Sequence, residues 1–110
     1  MIVASGYNVG PVEVETAVLA HPLVIDAVCV GEPDPIRGTV VAAHVVLSGP
    51  ASENLLAELR ERVGSAVGWF AAPRTVHVHQ VLPRTESGKV QRGRLRTQFR
   101  SVTGGEEATR

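Results

Sequence analysis

Lys89 is the one lysine in a 110-residue chain that otherwise carries its positive charge on ten arginines. It sits in LPRTESGKVQR, residues 82–92, directly behind Ser87 and Gly88. An ammonium on a flexible stem is a compact point charge that can touch several anionic oxygens in a closed site, whereas a guanidinium is a broad planar fork. Ser-Gly ahead of it makes a loop tip able to deliver that charge. The chemistry open to such a residue is contact with several oxygens of an anion. A lysine in an ordinary surface turn has the same local sequence, and coding bias can produce an arginine-rich chain. Spacing alone does not separate these readings.

Four histidines invite a metal reading. His77 and His79, at i and i+2, share one face of a strand. A zinc site takes three or four protein ligands. No carboxylate or cysteine stands near them in sequence, so no metal is expected. His44 reads as a satisfied histidine between strands, and His21 as a helix terminus. SGYNVG and ESGKV lack the G-x-x-x-x-G-K-[ST] spacing of a phosphate loop, so no self-contained nucleotide site is expected. Nothing marks a nucleophile elbow. Residues 84–100 are basic, with Arg84, Lys89, Arg92, Arg94, Arg96 and Arg100 against Glu86 alone. The formal net charge is zero, and the aromatics are only Tyr7, Trp69, Phe70 and Phe99. Both argue against nucleic-acid binding, which uses wide basic surfaces and stacking rings.

The elements that must position these residues follow from periodicity. IVASGYNV reads as two short strands about Ser5-Gly6, glycine permitting the turn. Pro11 suits the first turn of a helix. Val14, Ala17, Val18 and His21 then fall on one face, and His21-Pro22 ends the helix. Leu23–Val30 reads as a buried strand, GEPDPIRG as a loop, and Thr39–Leu47 as a second buried strand. Ser52 is placed to cap a helix running to about Val67, with Leu55, Leu56, Leu59 and Val63 as its apolar stripe. Thr75–Val81 alternates, with Val76 and Val78 on one face and His77 and His79 on the other, predicting a half-exposed strand. A short helix over Val90–Phe99 and a disordered tail over 101–110 complete the reading. The fold class is α+β: a small three-stranded sheet with helices packed on it, preceded by a short N-terminal β-hairpin. Residues 1–100 form one domain.

Cys29, alone in the chain, cannot form an internal disulfide, which fits a reducing cytoplasm. No apolar run approaches the length of a membrane span, and MIVASGY lacks the charged start and apolar core of a signal peptide.

Taken together, SGYNVGPVEVETAVLAHPLVIDAVCVGEPDPIRG and PRTVHVHQVLPRTESGKVQRGRLR resemble the C-terminal domain of the adenylate-forming enzymes. These comprise acyl-CoA synthetases, peptide-synthetase adenylation domains and luciferases. The family patterns SGYxIxPxEVE, HPxVxxAxVxGxPDxxxG and LPxTxSGKxxR occur in order, and the resemblance runs from Ile2 to Phe99. It implies a mobile lid that serves both half-reactions: carboxylic acid plus ATP to acyl-adenylate, then thioester formation with CoA. ATP and Mg2+ would be bound mainly by a large N-terminal domain, which would also hold the acid. By the resemblance Lys89 is the adenylation lysine, bridging the substrate carboxylate and the α-phosphate. Ser5, Gly6 and Tyr7 match the turn lining the pantetheine tunnel.

The chain departs from the pattern in three places. Asn8 replaces a frequent arginine, which points toward CoA ligases acting on acyl or aromatic acids. VGSAVGWFAAP is neutral at Gly64, Ser65 and Ala71 where relatives often carry basic residues. Contacts to CoA phosphates would then fall to Arg74, with Arg84 a further candidate, or to the large domain. The hinge residue of the family would lie before Met1, so the chain is expected to start just after the hinge. A stand-alone CoA or carrier-protein binding module is the alternative from another class, and a nucleic-acid module a more distant one.

Overall fold

A computed structural model describes residues 1–4 and 6–82. Strands β1 (Ile2–Ala4) and β2 (Tyr7–Val9) pair antiparallel, Ile2 opposite Val9 and Ala4 opposite Tyr7. Gly6 turns between them at φ 79°, a left-handed conformation that a Cβ penalises. The hairpin turns Ile2, Ala4 and Val9 inward and leaves Val3 and Tyr7 exposed.

Helix α1 (Pro11–Leu19) starts with Pro11 in its first turn, where a missing N–H does no harm. Val14, Ala17 and Val18 are buried as the spacing predicts. The helix stops at Leu19, ahead of His21-Pro22. Its Glu15 carboxylate accepts the Cys29 N–H of the sheet at 2.9 Å, tying helix to strand.

β3 (Val24–Asp34), β4 (Gly38–Leu47) and β5 (Thr75–His79) form the sheet in that order. β3 and β4 are antiparallel, and β5 joins β4 in parallel through a crossover that contains α2 (Leu55–Ala66). GEPDPIRG is therefore a strand end and a tight turn rather than a loop. Among the described residues β3 pairs with β4 alone, and an edge strand tolerates a proline such as Pro33. Asp34 closes the turn by accepting the N–H groups of Ile36 at 2.9 Å and Arg37 at 2.8 Å. Those two bonds, Arg37 first, hold its carboxyl below the usual range.

α2 starts later than expected. Asn54 stands at its N-terminus without a side-chain cap, and Ser52 donates instead to Glu58 at 3.4 Å. The long Glu58 side chain reaches back over the first turn and takes the hydroxyl that would otherwise cap. Leu55, Leu59 and Val63 are buried, with Leu56 half-buried at the margin of the core.

α1, α2 and the hairpin cover one face of the sheet, meeting Ala27, Cys29, Val41, Ala43, Val45 and Val76. The other face carries Val28, Val30, Ala42 and Leu82 in a second apolar cluster. Strand β5 is consequently not half-exposed: His77, on the face opposite Val76, has no solvent exposure. The α+β architecture, the three-stranded sheet and the leading hairpin agree with the sequence. The helix expected over 90–99 and the tail 101–110 lie outside the described residues.

Candidate functional site

Of the residues singled out for the reaction, Gly6, Tyr7 and Arg74 are described, and Ser5, Arg84 and Lys89 lie outside the described residues. Tyr7, which follows Gly6 in the hairpin, and Arg74, which precedes β5, are linked through Trp69 and Phe70. The hairpin carries Tyr7 against the short 3-10 turn Trp69–Ala71, its ring stacked on Phe70 at 4.4 Å and edge-on to Trp69 at 5.7 Å. Gly68 allows this turn: at φ 153° its place is taken up by the Phe70 ring, which a Cβ would meet at 2.5 Å. Tyr7 and Trp69 nevertheless keep about half or more of their surface in solvent, at 47% and 67%. Two large rings so exposed, side by side, suit contact with another molecule.

Arg74 borders a cleft beside this ring cluster, with Ala4, Val40, Phe70 and Trp69. Its backbone N–H is fixed to the Val41 carbonyl at 2.8 Å, so the side chain starts from a rigid point on the sheet while remaining exposed. Two more guanidinium groups lie close. Arg60 reaches from α2 to donate to the Pro73 carbonyl at 2.9 Å, and Arg37 projects from the β3–β4 turn. Partial burial lowers the pKa of Arg60, and the positive charges of Arg74 and Arg37 lower it further. The Asp34 carboxylate, itself held low in part by Arg37 and Arg74, offsets one of these three charges, and the edge keeps a net positive charge that suits an anion. In sequence they are separated by long intervals, and only Arg74 was legible as a candidate.

A second cleft runs between α1 and α2, lined by Ala20, His21, Glu58, Glu61, Arg62 and Ser65. His21 lies just past α1, buried, and its Nδ1 accepts the Leu23 N–H at 3.1 Å. Its Nε2 therefore carries the proton and donates to Glu58 at 2.8 Å. That bond is the main reason the Glu58 carboxyl is held low. The pair staples the end of α1 to α2.

On the outer face of the sheet, histidines form a third constellation. His44 and His77 are directly paired across β4 and β5, with rings 4.6 Å apart. His77 Nε2 lies 2.9 Å from Glu32 Oε2, and Thr75 Oγ1 donates to Glu32 Oε1 at 3.2 Å. His44 Nδ1 and His79 Nε2 share a 2.8 Å hydrogen bond. Burial first, then the neighbouring His77 and His79, push the pKa of His44 down to about 3. Burial also lowers that of His79. Glu32 was absent from the sequence reading because it lies 45 positions from His77.

These observations define a small α+β domain with an aromatic and guanidinium edge built on a glycine-turned hairpin. The chain belongs to the AMP-binding enzyme C-terminal domain family, which matches residues 13–89. It is 44% identical over 102 residues to the mitochondrial acyl-coenzyme A synthetase ACSM4 of Rattus norvegicus, covering 89% of this chain and 18% of that protein. The human mitochondrial acyl-coenzyme A synthetase ACSM5 is 45% identical over 102 residues, covering 89% of this chain and 18% of that protein. Among solved structures, the acyl-CoA synthetase of Brucella canis superposes with a TM-score of 0.82 at 42% identity, over 87% of this chain and 18% of that one. The fatty acyl CoA synthetase of Mycobacterium tuberculosis gives 0.80 at 30% identity, over 92% and 20%. The chain thus spans about a fifth of the length of the curated relatives it matches, 18% in each of the two named.

Proposed function

We propose that this chain is the mobile C-terminal domain of an ATP-dependent acyl-CoA synthetase, working with a large N-terminal domain. That partner domain would bind ATP, Mg2+ and the carboxylic acid. Lys89 is assigned the adenylation step, and Ser5, Gly6 and Tyr7 the wall of the pantetheine tunnel. Arg84 remains a candidate phosphate contact. We assign the cytoplasm as compartment on the one cysteine, although the two named relatives are mitochondrial by name. No helix of the described residues is long and apolar enough to cross a membrane.

The observation that supports CoA as the thiol, rather than a carrier protein, is Arg74 beside the Trp69 and Phe70 rings, with Arg60 and Arg37 within electrostatic reach of one another at the same edge. CoA brings a pyrophosphate, a ribose phosphate and a purine. A carrier-bound pantetheine brings one phosphodiester and no purine. Several guanidinium groups beside aromatic faces complement the first. They also answer the neutrality of Gly64, Ser65 and Ala71: positive charge is supplied from α2 and two strand ends instead.

Arg74→Ala in the complete enzyme is expected to raise KM for CoA about tenfold, the loss of one charge-assisted contact of about 1.4 kcal/mol. Its kcat and its KM for ATP should stay unchanged, and so should KM for free pantetheine, which lacks the nucleotide. An unchanged KM for CoA, or an equal rise with pantetheine, would remove this assignment.

Gly6→Leu tests the tunnel. Among the described residues a Cβ at Gly6 meets no atom within 4 Å, so the added bulk would project from the hairpin turn toward the proposed path of the thiol. Thioester formation should fall at least about tenfold while adenylation is spared, by obstruction of the thiol path. Gly38→Leu, at φ 82° and likewise with no described atom within 4 Å of an added Cβ, is the control for backbone strain. Equal behaviour of the two variants in both half-reactions would show that strain alone acts.

A further inference from the structure

We propose that Glu32, His44 and His77 form a binding site for one divalent cation of the zinc class, strapping the three strands of the sheet together. Each strand contributes one ligand: Glu32 from β3, His44 from β4 and His77 from β5. One donor atom from each lies within 4.8 Å of the other two, and all three residues are buried. A tetrahedral shell with bonds near 2.0 Å places its donors about 3.3 Å apart. The Glu32–His77 contact, at 2.9 Å, is already inside that spacing. Rotation of the His44 ring toward them, by up to about 1.5 Å at the donor atom, would close the set.

Two imidazole nitrogens with one carboxylate oxygen are a donor set suited to zinc and cobalt, and too poor in oxygen for calcium or magnesium. The surroundings have the form of a supporting shell. His79 holds His44 through Nδ1, and Thr75 holds the second oxygen of Glu32. Such outer partners fix the tautomer of a ligating histidine and the orientation of a ligating carboxylate. Geometry along the sheet explains how Glu32 arrives. In register it stands opposite Val40, whereas His44 is paired with Val28 and His77. Its long side chain crosses β4 over Ala42, which sits between Val30 and Thr75 and offers only a methyl group on this face. The constellation lies on the opposite face of the sheet from the main core, and uses none of the residues assigned to acyl transfer.

Because the donors are buried, the cation would be taken up during folding. The test is to unfold the untagged 110-residue chain, refold it with Co2+, and remove the excess by gel filtration. One cobalt per chain, visible d–d absorption of a tetrahedral ion and a raised melting temperature are expected. Glu32→Gln, close in shape and still able to accept from Thr75, should lower Co2+ affinity at least about tenfold. Ring-nitrogen NMR of the unaltered chain with Zn2+ gives a readout that does not depend on a variant folding. The signals of His44 and His77 should move while that of His21 stays. Substoichiometric cobalt after refolding, undiminished binding by Glu32→Gln, or a zinc-induced shift at His21 alone would each overturn the site.

Discussion

Lys89→Ala, made in the complete enzyme, is expected to lower the rate of acyl-adenylate formation by about 10²–10³, the usual cost of removing one fixed stabiliser of transition-state charge. Attack of a carboxylate on the α-phosphate gathers negative charge on the oxygens between them. One ammonium in a water-excluded site stabilises that charge without reorganising at the moment of reaction. On the proposed function thioester formation would use another presentation of the lid, so thioester synthesis from supplied acyl-adenylate should be retained. ATP–pyrophosphate exchange measures the first step and thioester release the second. Lys89→Arg should not restore exchange, because a planar fork does not replace a point charge among several oxygens. Equal loss of both half-reactions would sink the role given to Lys89, and unaltered exchange would do so more directly. The opposite partition expected for Gly6→Leu makes the pair diagnostic. One domain would serve two incompatible needs, an anion clamp and a thiol channel, by separating them in time.

Acid should destabilise the metal-free chain through His44. Its pKa is pushed down from 6.5 to about 3 in the folded state. The groups facing it are His77 and His79 from β5, with Glu32 from β3 beyond His77. The unfolded chain binds a proton at His44 as pH falls through about 6.5, while the folded chain resists until about 3. The neutral form is therefore favoured by folding, and its contribution is complete above the unfolded pKa. It is lost progressively across that window, by about 3 kcal/mol between pH 7 and pH 4. Guanidinium unfolding at the two pH values, with a chelator present, measures it. His44→Gln fills similar space and does not titrate, so its stability should fall by about 3 kcal/mol less over the same interval. Parallel pH dependence of the two proteins would show that His44 is not the group responsible.

The amino-acid order alone determined a good deal. Val14, Ala17 and Val18 at helical spacing, and the Leu55–Leu59–Val63 stripe, are local patterns, and each is buried where its period places it. Gly6 stands at the hairpin turn because few other residues accept its φ of 79°. The alternation of Val76 and Val78 with His77 and His79 sorted β5 correctly into two faces. The three ordered motifs pointed to the family, because they mark short contiguous stretches of backbone and side chain.

Tertiary structure decided whatever depends on which strands meet and in what register. Alternation assigns a side chain to a face but does not say whether that face is covered, so His77 read as exposed and is buried. It does not say which neighbour lies across the sheet either. The parallel placement of β5 beside β4 sets His77 opposite His44, and the antiparallel β3 brings Glu32 to them from 45 positions away. Arg37, Arg60 and Arg74 likewise come from a turn, a helix and the approach to β5, and share one edge only after the crossover is made. Period is a property of a segment. Charge and ligand clusters are properties of strand order, register and the faces that helices leave open.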